Sequence, residues 1–444
     1  MELISQEFIK PISPTPNHLI KSFEYSICDQ FALSDHIPIL LYYPALSDDN
    51  QQESKAINSS RLKRLKKSLS EILAHYYPLA GRLRSNNSTC VDCNDEGVPF
   101  LEAFLHNQLL EDILNNPHEN YKTAKSFVPP ASFESFSSSF LLLVQVTSFE
   151  CGGTVVGVAP NHKILDMPSV ITFLTDWATL ARQDDDPNSN FMLPQLVPLA
   201  KFFPPRDNVP SVSIIAEASL TKEPCRINIY VFNPSSIANL KIKATSENIT
   251  TPSRVDAVTS IVWKCLTAYS NRPSVLTYTV NLRKRVTPPM HAHHIGNFIG
   301  FAEASKQGSE KDMADMVVSL RKGLSELENK YVKRLNGNQD EAIESIQEML
   351  RDLISLIAAG IKNDVDLYHF TSWCGFPFYD VDFGWGKPIL FSSIPSKLKN
   401  VMTLIDTKDG GVKVYICLSE EDMKMLEKNT ELLTYATLEA SFPI

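Results

Sequence analysis

Apolar side chains recur at helical spacing in some stretches of the chain and at strand spacing in others. Steps of three to four residues predict helices over 61–77, 167–182, 234–244, 254–269, 312–333 and 341–361. β-branched and aromatic runs predict strands over 140–146, 154–159, 225–232 and 277–282. Because the two patterns mix in both halves without strict alternation, we predict an α/β protein of the α+β type with mixed sheets, not a doubly wound fold.

The helical pattern stops after residue 182 at the polar run 183–190, and a proline-rich stretch without a clear period follows it. We therefore predict an N-terminal domain over 1–190, an extended crossover linker over 191–215 and a C-terminal domain over 216–444. Residues 1–40 hold four prolines among β-rich pieces, which favours extended segments there.

Composition and charge narrow the class of protein. The 444 residues include 42 Lys and Arg against 51 Asp and Glu, and the net charge of -9 argues against a nucleic-acid partner. The apolar runs are far shorter than the ~18 residues of a membrane span, so no membrane association is expected. Neither end of the sequence resembles a targeting signal, and eight cysteines are sparse in 444 residues. We expect a cytoplasmic protein with free thiols.

Two clusters have residue types that bind metals. Cys90-Val91-Asp92-Cys93 has the spacing of a redox or half-zinc motif, but no second pair of ligands stands at a matching distance. His291-Ala292-His293-His294 lacks a carboxylate or cysteine at ligand spacing, and simple exposure of this loop is the expectation. We predict no metal site.

The strongest candidate for a catalytic segment lies between a predicted buried strand and a predicted helix. There His162 precedes Asp166 by four residues. A histidine that a rigid scaffold presents in this way can remove a proton from a hydroxyl group, since its ordinary pKa is near neutrality. Asp166 also has a simpler explanation, which is that it caps the following helix.

A second candidate is the loop Asp382-Phe383-Gly384-Trp385-Gly386. Two glycines around a tryptophan indicate a tight turn with unusual backbone angles, which could direct backbone N–H groups at an oxyanion. Asp382 is interpreted here as a salt-bridge anchor and Trp385 as a packing residue, while the role of the Gly384 and Trp385 amides stays open.

These two motifs together, in this order and spacing, resemble the plant BAHD acyltransferases, which use coenzyme A thioesters. The resemblance covers essentially the whole chain, and its details are most similar to the vinorine synthase-like branch, which acetylates alkaloid alcohols. Further matching segments are Tyr77-Pro78-Leu79-Ala80-Gly81-Arg82, Ser253-Arg254-Val255-Asp256-Ala257, Asn281-Leu282-Arg283, Gly296-Asn297 and Thr371-Ser372-Trp373.

The resemblance implies two chloramphenicol-acetyltransferase-like domains with the active-site channel between them. It implies that His162 is the general base of an acyl transfer without a covalent enzyme intermediate, and that Asp166 pairs with Arg283 to fix the histidine loop. Asp382 is grouped with His162 as a catalytic candidate because some descriptions of the family treat it so. The supporting and coenzyme A-contacting residues that the resemblance assigns are Gly384, Trp385, Gly386, Ser253, Arg254, Thr371 and Ser372.

The resemblance also implies the substrates. Acyl-CoA is expected as a co-substrate, with acetyl-CoA as the default donor, a hydroxyl of a plant alkaloid or similar metabolite as acceptor, no permanently bound cofactor and a monomeric enzyme. The oxyanion donors are expected among the indole or backbone N–H groups near Trp385, with Thr371 or Ser372. The alternatives are a malonyl, benzoyl or hydroxycinnamoyl donor, or a non-catalytic relative that only binds such ligands.

Overall fold

The structure is a computed structural model that forms two compact units. It describes residues 1–18, 23–45, 51–84, 89–129, 139–183, 193, 195–207, 209, 224–306, 312–362, 364–394 and 398–443. The first unit contains Met1–Val209, His291–Asn297 and Phe376–Ile394, and the second contains Pro210–Met290, Phe298–Gly375 and Pro395–Ile444. Two later segments of the chain thus belong to the first unit, whereas the sequence analysis assigned everything after residue 215 to the second domain. Residues 210–215 at the end of the predicted linker lie outside the described residues, as do 191, 192, 194 and 208.

The strands of the described part of the chain are numbered in chain order. They are β1 (Glu2–Ile9), β2 (Phe23–Glu24), β3 (Ile39–Tyr43), β4 (Arg82–Leu83), β5 (Cys90–Asp92), β6 (Val98–Leu105), β7 (Leu142–Phe149), β8 (Thr154–Pro160), β9 (Val197–Pro198), β10 (Cys225–Phe232), β11 (Ser274–Asn281), β12 (His294–Ile295), β13 (Ile299–Lys306), β14 (Asp366–Ser372), β15 (Leu390–Ser393), β16 (Val401–Asp406), β17 (Val412–Ser419) and β18 (Thr437–Pro443).

The helices are named by their bounds. The α-helices of the same residues are Ile27–Phe31, Gln51–His75, Leu110–Leu114, Pro117–Ala124, Met167–Gln183, Pro234–Lys243, Arg254–Leu266, Met313–Leu327, Lys333–Leu335, Gln339–Ile361, Glu420–Leu426 and Thr430–Tyr435. A π-helical turn, Glu328–Val332, follows Met313–Leu327.

The first unit is built on a six-stranded sheet in the order β1-β6-β7-β8-β3-β15. β6 and β7 run parallel, and the other neighbours are antiparallel, so the sheet is mixed. β7 and β8 are buried along their whole length, which explains their nearly continuous apolar sequences. Gly157 in β8 is required by close packing, because a Cβ atom there would lie 2.0 Å from the carbonyl oxygen of Phe127.

The second unit is built on a seven-stranded sheet in the order β13-β11-β14-β16-β17-β10-β18. The β11–β14 and β14–β16 pairs are parallel and the other pairs are antiparallel. One face of this sheet packs with the helices Arg254–Leu266 and Met313–Leu327 in a large core that includes the buried indole of Trp263. The predicted mixed α/β class is therefore confirmed.

Most predicted elements are present with shifted ends. The strand over 225–232 matches β10, and the helix over 167–182 matches Met167–Gln183. The helix predicted over 61–77 is longer at its start and forms Gln51–His75. The helix predicted over 312–333 ends as an α-helix at Leu327, where the π-helical turn begins. No helix in the described part of the chain is long and apolar enough to cross a membrane.

His369 lies on β14, in the sheet of the second unit, and its pKa is shifted by its surroundings. Its Nδ1 atom lies 2.9 Å from Thr277 Oγ1 and its Nε2 atom lies 3.3 Å from Thr279 Oγ1, both on the neighbouring strand β11. Burial lowers the pKa of His369 from 6.5 to about 4, because the interior disfavours the charged ring. The imidazole is therefore neutral in the folded unit.

We predict that His369 makes the second unit sensitive to acid. Between pH 6.5 and about pH 4 the unfolded chain binds the proton that the folded unit does not, so stability falls as the pH is lowered through this window. The expected loss from this residue is at most about 3 kcal/mol. Unfolding midpoints of the native chain and of His369→Asn, measured across the window, should diverge as the pH falls. Parallel curves would contradict the prediction.

Candidate functional site

His162 lies in a short loop whose backbone is fixed at both ends. Asn161, which follows β8, forms a β-bridge with His36, and the helix Met167–Gln183 begins five residues after His162. The backbone N–H of His162 donates to the carbonyl oxygen of Asp35 at 2.8 Å. The strand-to-helix position predicted from the sequence is thus observed, and it presents the ring from a rigid scaffold.

No described residue of the chain hydrogen-bonds to the ring nitrogen Nδ1 of His162. That atom is buried, while the residue as a whole is half-buried. The accessible part of the ring therefore lies away from Nδ1, which makes Nε2 the nitrogen available to a reactant. A neutral histidine with its proton on Nδ1 can accept a proton at Nε2 from a hydroxyl group.

Asp166 caps the helix that follows the loop. Its Oδ1 atom accepts hydrogen bonds from the backbone N–H of Ser169 at 3.0 Å and from Ser169 Oγ at 2.6 Å, and the residue is 1% exposed. This is the capping geometry considered in the sequence analysis. Since Nδ1 of His162 is unpartnered, Asp166 does not orient the ring as the aspartate of a catalytic triad does. The pairing of Asp166 with Arg283 stays a prediction.

Lys163 holds the loop against the C-terminal end of the helix Ile27–Phe31. Its ammonium group donates to the carbonyl oxygens of Gln30 at 2.9 Å and Ala32 at 3.1 Å. Burial lowers the pKa of Lys163, while the nearby carboxylate of Asp29 raises it. The sequence analysis did not identify this lysine, because its partners are backbone atoms more than a hundred residues away.

Asn297 is a second residue that holds the His162 loop and that was not predicted from the sequence. Its Nδ2 atom donates to the carbonyl oxygen of His162 at 2.9 Å and contacts that of Lys163 at 3.3 Å. The same atom lies 2.9 Å from Asp29 Oδ1, which also accepts the backbone N–H of Asn297 at 2.7 Å. Gly296-Asn297 was noted only as a matching motif, and the sequence carried no signal that it reaches the His162 loop.

The carboxylate of Asp382 organises its own loop. Its Oδ1 atom accepts the backbone N–H groups of Gly384 at 2.8 Å and Gly386 at 2.9 Å. Both glycines have positive φ angles, 102° and 103°, which L side chains rarely adopt. The tight turn predicted from the two glycines is observed, but their N–H groups bind Asp382, so these two amides are not free to bind an oxyanion.

The aromatic residues of this loop pack at the Thr154 end of β8. The rings of Phe383 and Trp385 lie 6.1 and 5.8 Å from the ring of Tyr43, which stands opposite Thr154 in the sheet. The guanidinium of Arg61 lies 5.4 Å from the centre of the Trp385 ring and also donates to Thr154 Oγ1 at 3.0 Å. The loop is thus anchored where β8 begins.

This anchoring separates the loop from His162. Thr154 and His162 are eight residues apart along and just beyond an extended strand, which corresponds to about 20–25 Å. A donor in an oxyanion hole must lie about 3 Å from the developing charge. The indole and amides near Trp385 therefore do not serve a carbonyl that reacts at His162, which corrects the expectation from the sequence. The geometry of Asp382 favours a structural role over catalysis.

The candidate coenzyme A contacts lie in the second unit. Ser253 caps the helix Arg254–Leu266 by accepting the N–H of Asp256 at 3.0 Å, and Arg254 pairs with Asp406 at 3.1 Å. Thr371 and Ser372 end β14, and Ser372 Oγ accepts the backbone N–H of Cys374 at 3.3 Å. Their roles toward coenzyme A stay predictions.

The histidine loop that could have bound a metal has a different environment from the one expected. His293 is 9% exposed, and its Nε2 atom lies 2.7 Å from Asp176 Oδ2, which also accepts the hydroxyl of Tyr76 at 2.6 Å. The ring of His291 stacks on that of His293. His293 is thus buried against Asp176, not exposed. Within the described residues, no group of three or more His, Cys, Asp or Glu side chains could hold a metal ion. The eight cysteines are thiols and form no disulfide bond with one another.

A family model and several plant acyltransferases match nearly the whole chain. A family model described as "Transferase family" matches residues 1–433. The chain is 34% identical to the stemmadenine O-acetyltransferase of Catharanthus roseus, over 97% of this chain and 96% of that one. It is 32% identical to the 17,18-epoxy-17-hydroxycur-19-ene N-malonyltransferase of Strychnos nux-vomica, over 99% of this chain and 91% of that one.

Two solved structures share the fold. The crystal structure of vinorine synthase has a TM-score of 0.77 and 32% identity, and the match covers 98% of each chain. TRI101 of F. graminearum, complexed with coenzyme A and T-2 mycotoxin, has a TM-score of 0.69 and 16% identity, over 94% of this chain and 99% of that chain.

We predict that Asp382→Ala destabilises the first unit without removing the reactive group. Two hydrogen bonds to a charged acceptor are lost, so the free energy of unfolding should fall by about 2–4 kcal/mol, as measured by denaturant unfolding. Acyl transfer per folded molecule should stay close to that of the native chain.

Asp380→Ala is the matched control in the same loop. Asp380 forms an exposed ion pair with Lys387 at 2.7 Å, so its loss should cost less than about 1 kcal/mol. A well-folded Asp382→Ala protein that has lost the chemical step would refute the structural role.

Proposed function

Since the chain belongs to the BAHD acyltransferases of the Transferase family, we propose that it transfers an acetyl group from acetyl-CoA to a hydroxyl group of a plant alkaloid or similar specialised metabolite. Acyl transfer is the activity of the family, and His162 is the residue that we propose as its general base.

The observation that carries the proposal is the state of His162. Its ring is half-buried, its Nδ1 atom is buried without a partner, and its backbone is held by hydrogen bonds on both sides. Such a histidine is carried by a fixed backbone and is not committed to a structural ion pair through Nδ1. This is what a general base that serves two substrates in turn requires.

The reaction is a direct transfer. Nε2 of His162 takes the proton from the acceptor hydroxyl while the hydroxyl oxygen forms a bond to the thioester carbonyl carbon. The carbon–sulfur bond of the tetrahedral intermediate then breaks, and the protonated His162 returns its proton to the leaving thiolate. The products are the acyl ester and free coenzyme A. Because both substrates are held at once, proximity contributes much of the rate and no acyl-enzyme is needed.

We assign the coenzyme A contacts to the second unit, as the family resemblance suggests. The candidate residues are Ser253, Arg254, Thr371 and Ser372. A helix begins at Arg254, and a helix N-terminus favours anionic groups such as phosphates. In the structure the guanidinium of Arg254 pairs with Asp406, so binding of a phosphate there would compete with this ion pair.

The names of relatives support an alkaloid-type acceptor and acetyl as the donor. The stemmadenine enzyme is named an O-acetyltransferase. The Strychnos nux-vomica relative is named an N-malonyltransferase, which favours malonyl-CoA as the alternative donor. Malonyl carries a free carboxylate, which would need a cationic or hydrogen-bonding partner in the acyl pocket.

We propose a cytoplasmic location on the basis of the thiols. The eight cysteines are thiols with no disulfide bond among them, as is usual in a reducing compartment. The monomeric state stays a prediction.

We predict that His162→Ala strongly slows acyl transfer without loss of donor binding. Loss of a general base lowers the rate by about 10²–10⁴-fold, whereas the Kd for acetyl-CoA should stay near that of the native chain. The rate is followed by thiol release from acetyl-CoA in the presence of a panel of alkaloid alcohols, and binding by calorimetry.

His106→Ala is the control for this experiment, since His106 is an exposed histidine on the surface. It should leave the rate unchanged. Near-native turnover by His162→Ala would rule out this residue as the base.

We also predict the order of donors. With one accepted alcohol, acetyl-CoA should give the highest kcat/KM among acetyl-, malonyl-, benzoyl- and hydroxycinnamoyl-CoA. A higher value for malonyl-CoA would replace the proposed donor with the alternative and leave the mechanism unchanged. Binding of acyl-CoA without transfer to any alcohol would favour a non-catalytic protein.

A further inference from the structure

The orientation of His162 has to come from something other than a carboxylate on its ring, because Nδ1 makes no hydrogen bond. General-base catalysis at Nε2 requires the proton on Nδ1. In water the opposite arrangement, with the proton on Nε2, is readily available to a neutral imidazole. Some neighbouring group must therefore favour the useful tautomer.

Asn297 is the polar side chain that the structure places against this loop. Its Nδ2 atom faces three oxygens, which are the carbonyls of His162 and Lys163 and the Oδ1 atom of Asp29. This set of acceptors fixes which end of the amide is nitrogen, since the oxygen in that position would meet only other oxygens. The amide oxygen Oδ1 consequently points elsewhere.

Two buried atoms near this contact are unsatisfied and complementary. Asn297 Oδ1 is a buried acceptor with no partner, and His162 Nδ1 is a buried nitrogen with no partner. The two residues are already joined by the bond from Nδ2 to the carbonyl oxygen of His162 at 2.9 Å. Buried polar groups in native proteins normally find a partner, and a hydrogen bond from Nδ1–H of His162 to Asn297 Oδ1 would satisfy both atoms at once.

Asp29 is the group that holds Asn297 in place. It is 1% exposed, and its two oxygens are divided between two partners. Oδ2 accepts from the backbone N–H and the hydroxyl of Ser26, and Oδ1 accepts from the backbone N–H and the side chain of Asn297. Burial raises the pKa of the Asp29 carboxyl, and these hydrogen bonds lower it. A buried carboxylate is costly unless its hydrogen bonds are complete, so its position is tightly determined.

The residue before Asn297 is shaped to allow this approach. Gly296 has a φ angle of 137°, and a Cβ atom there would lie 2.7 Å from Leu199 Cβ and 3.1 Å from Asp29 Oδ2. A side chain at this position would push the segment away from Asp29. The glycine therefore permits the contact between Asp29 and Asn297.

We propose that Asp29 and Asn297 are positioning residues for proton transfer: Asp29 fixes the amide of Asn297, and Asn297 Oδ1 accepts the Nδ1–H of His162 and so keeps Nε2 free to act as the base. This inference rests on the proposed role of His162. The unit resembles the histidine–asparagine pair of some hydrolases in its chemistry, with a buried carboxylate as the third member.

The test uses Asn297→Ala and Asp29→Asn in the full-length chain. Asn297→Ala removes the acceptor. In the native chain both oxygens of Asp29 accept hydrogen bonds, from Ser26 and from Asn297. Asp29→Asn replaces one of these oxygens with an NH₂ group, which cannot accept, and so disturbs the position of Asn297. We expect kcat to fall by about 10²-fold in Asn297→Ala and to fall in Asp29→Asn, with the KM for acyl-CoA close to the native value.

A spectroscopic measurement separates positioning from general loss of structure. Chains labelled with ¹⁵N in their histidines report which ring nitrogen carries the proton, and the His162 signals are identified by their absence in His162→Ala. The native chain should show His162 protonated at Nδ1, and Asn297→Ala should shift the population toward Nε2–H. Because this readout needs no turnover, it stays informative even if the proposed acyl transfer fails.

Asp176→Asn is the matched control. It disturbs the hydrogen-bond contact with His293 and thus weakens the other end of the segment that carries Asn297, without replacing a residue of the His162 loop. It should lower the unfolding midpoint and leave the His162 tautomer unchanged. The proposal is overturned if Asn297→Ala keeps the native kcat and tautomer, or if Asp176→Asn shifts the tautomer as much as Asn297→Ala does.

Discussion

The antiparallel pairing of β3 with β8 determines where both sequence motifs lie. At one end Tyr43 stands opposite Thr154, and the loop of Phe383 and Trp385 packs there. Beyond the other end, His36 bridges Asn161 next to His162. Because this register is continuous, the two motifs are held apart by the length of the strand. The rest of the first unit is organised around that separation.

The two loops have different roles: the Asp382 loop stabilises the sheet, and the His162 loop carries the proposed base. The Asp382 loop uses its carboxylate, its two glycines and its aromatic rings to fasten β15 beside β3. The His162 loop instead has its backbone fixed and the Nδ1 atom of its ring left without a partner among the described residues. A side chain whose polar atoms are all bonded within the protein contributes to folding, whereas a half-buried ring on a rigid backbone can present one edge to a substrate. The same sheet supports both uses.

The sequence predicted the local features and missed those that depend on distant parts of the chain. The helix cap at Asp166 and the turn at Gly384 and Gly386 follow from neighbouring residues, and both are observed. The contact of Asn297 with Asp29 joins positions 268 residues apart, and no periodicity or spacing in one sequence encodes such a pairing. The expected exposure of His293 was wrong for the same reason, since its partner Asp176 lies on a distant helix.

Two segments from the second half of the sequence, His291–Asn297 and Phe376–Ile394, belong to the first unit. This affects how the unit forms during translation and how it can be engineered. That unit takes β15 from Leu390–Ser393 and the Asn297 contact from His291–Asn297. A ribosome must therefore translate most of the sequence before the sheet beside β3 is complete, so an N-terminal fragment that stops at Val209 lacks an edge strand. Chimaeras between relatives need to exchange 1–209, 291–297 and 376–394 as one set, because a single crossover point would combine a β3 edge from one parent with a β15 from the other.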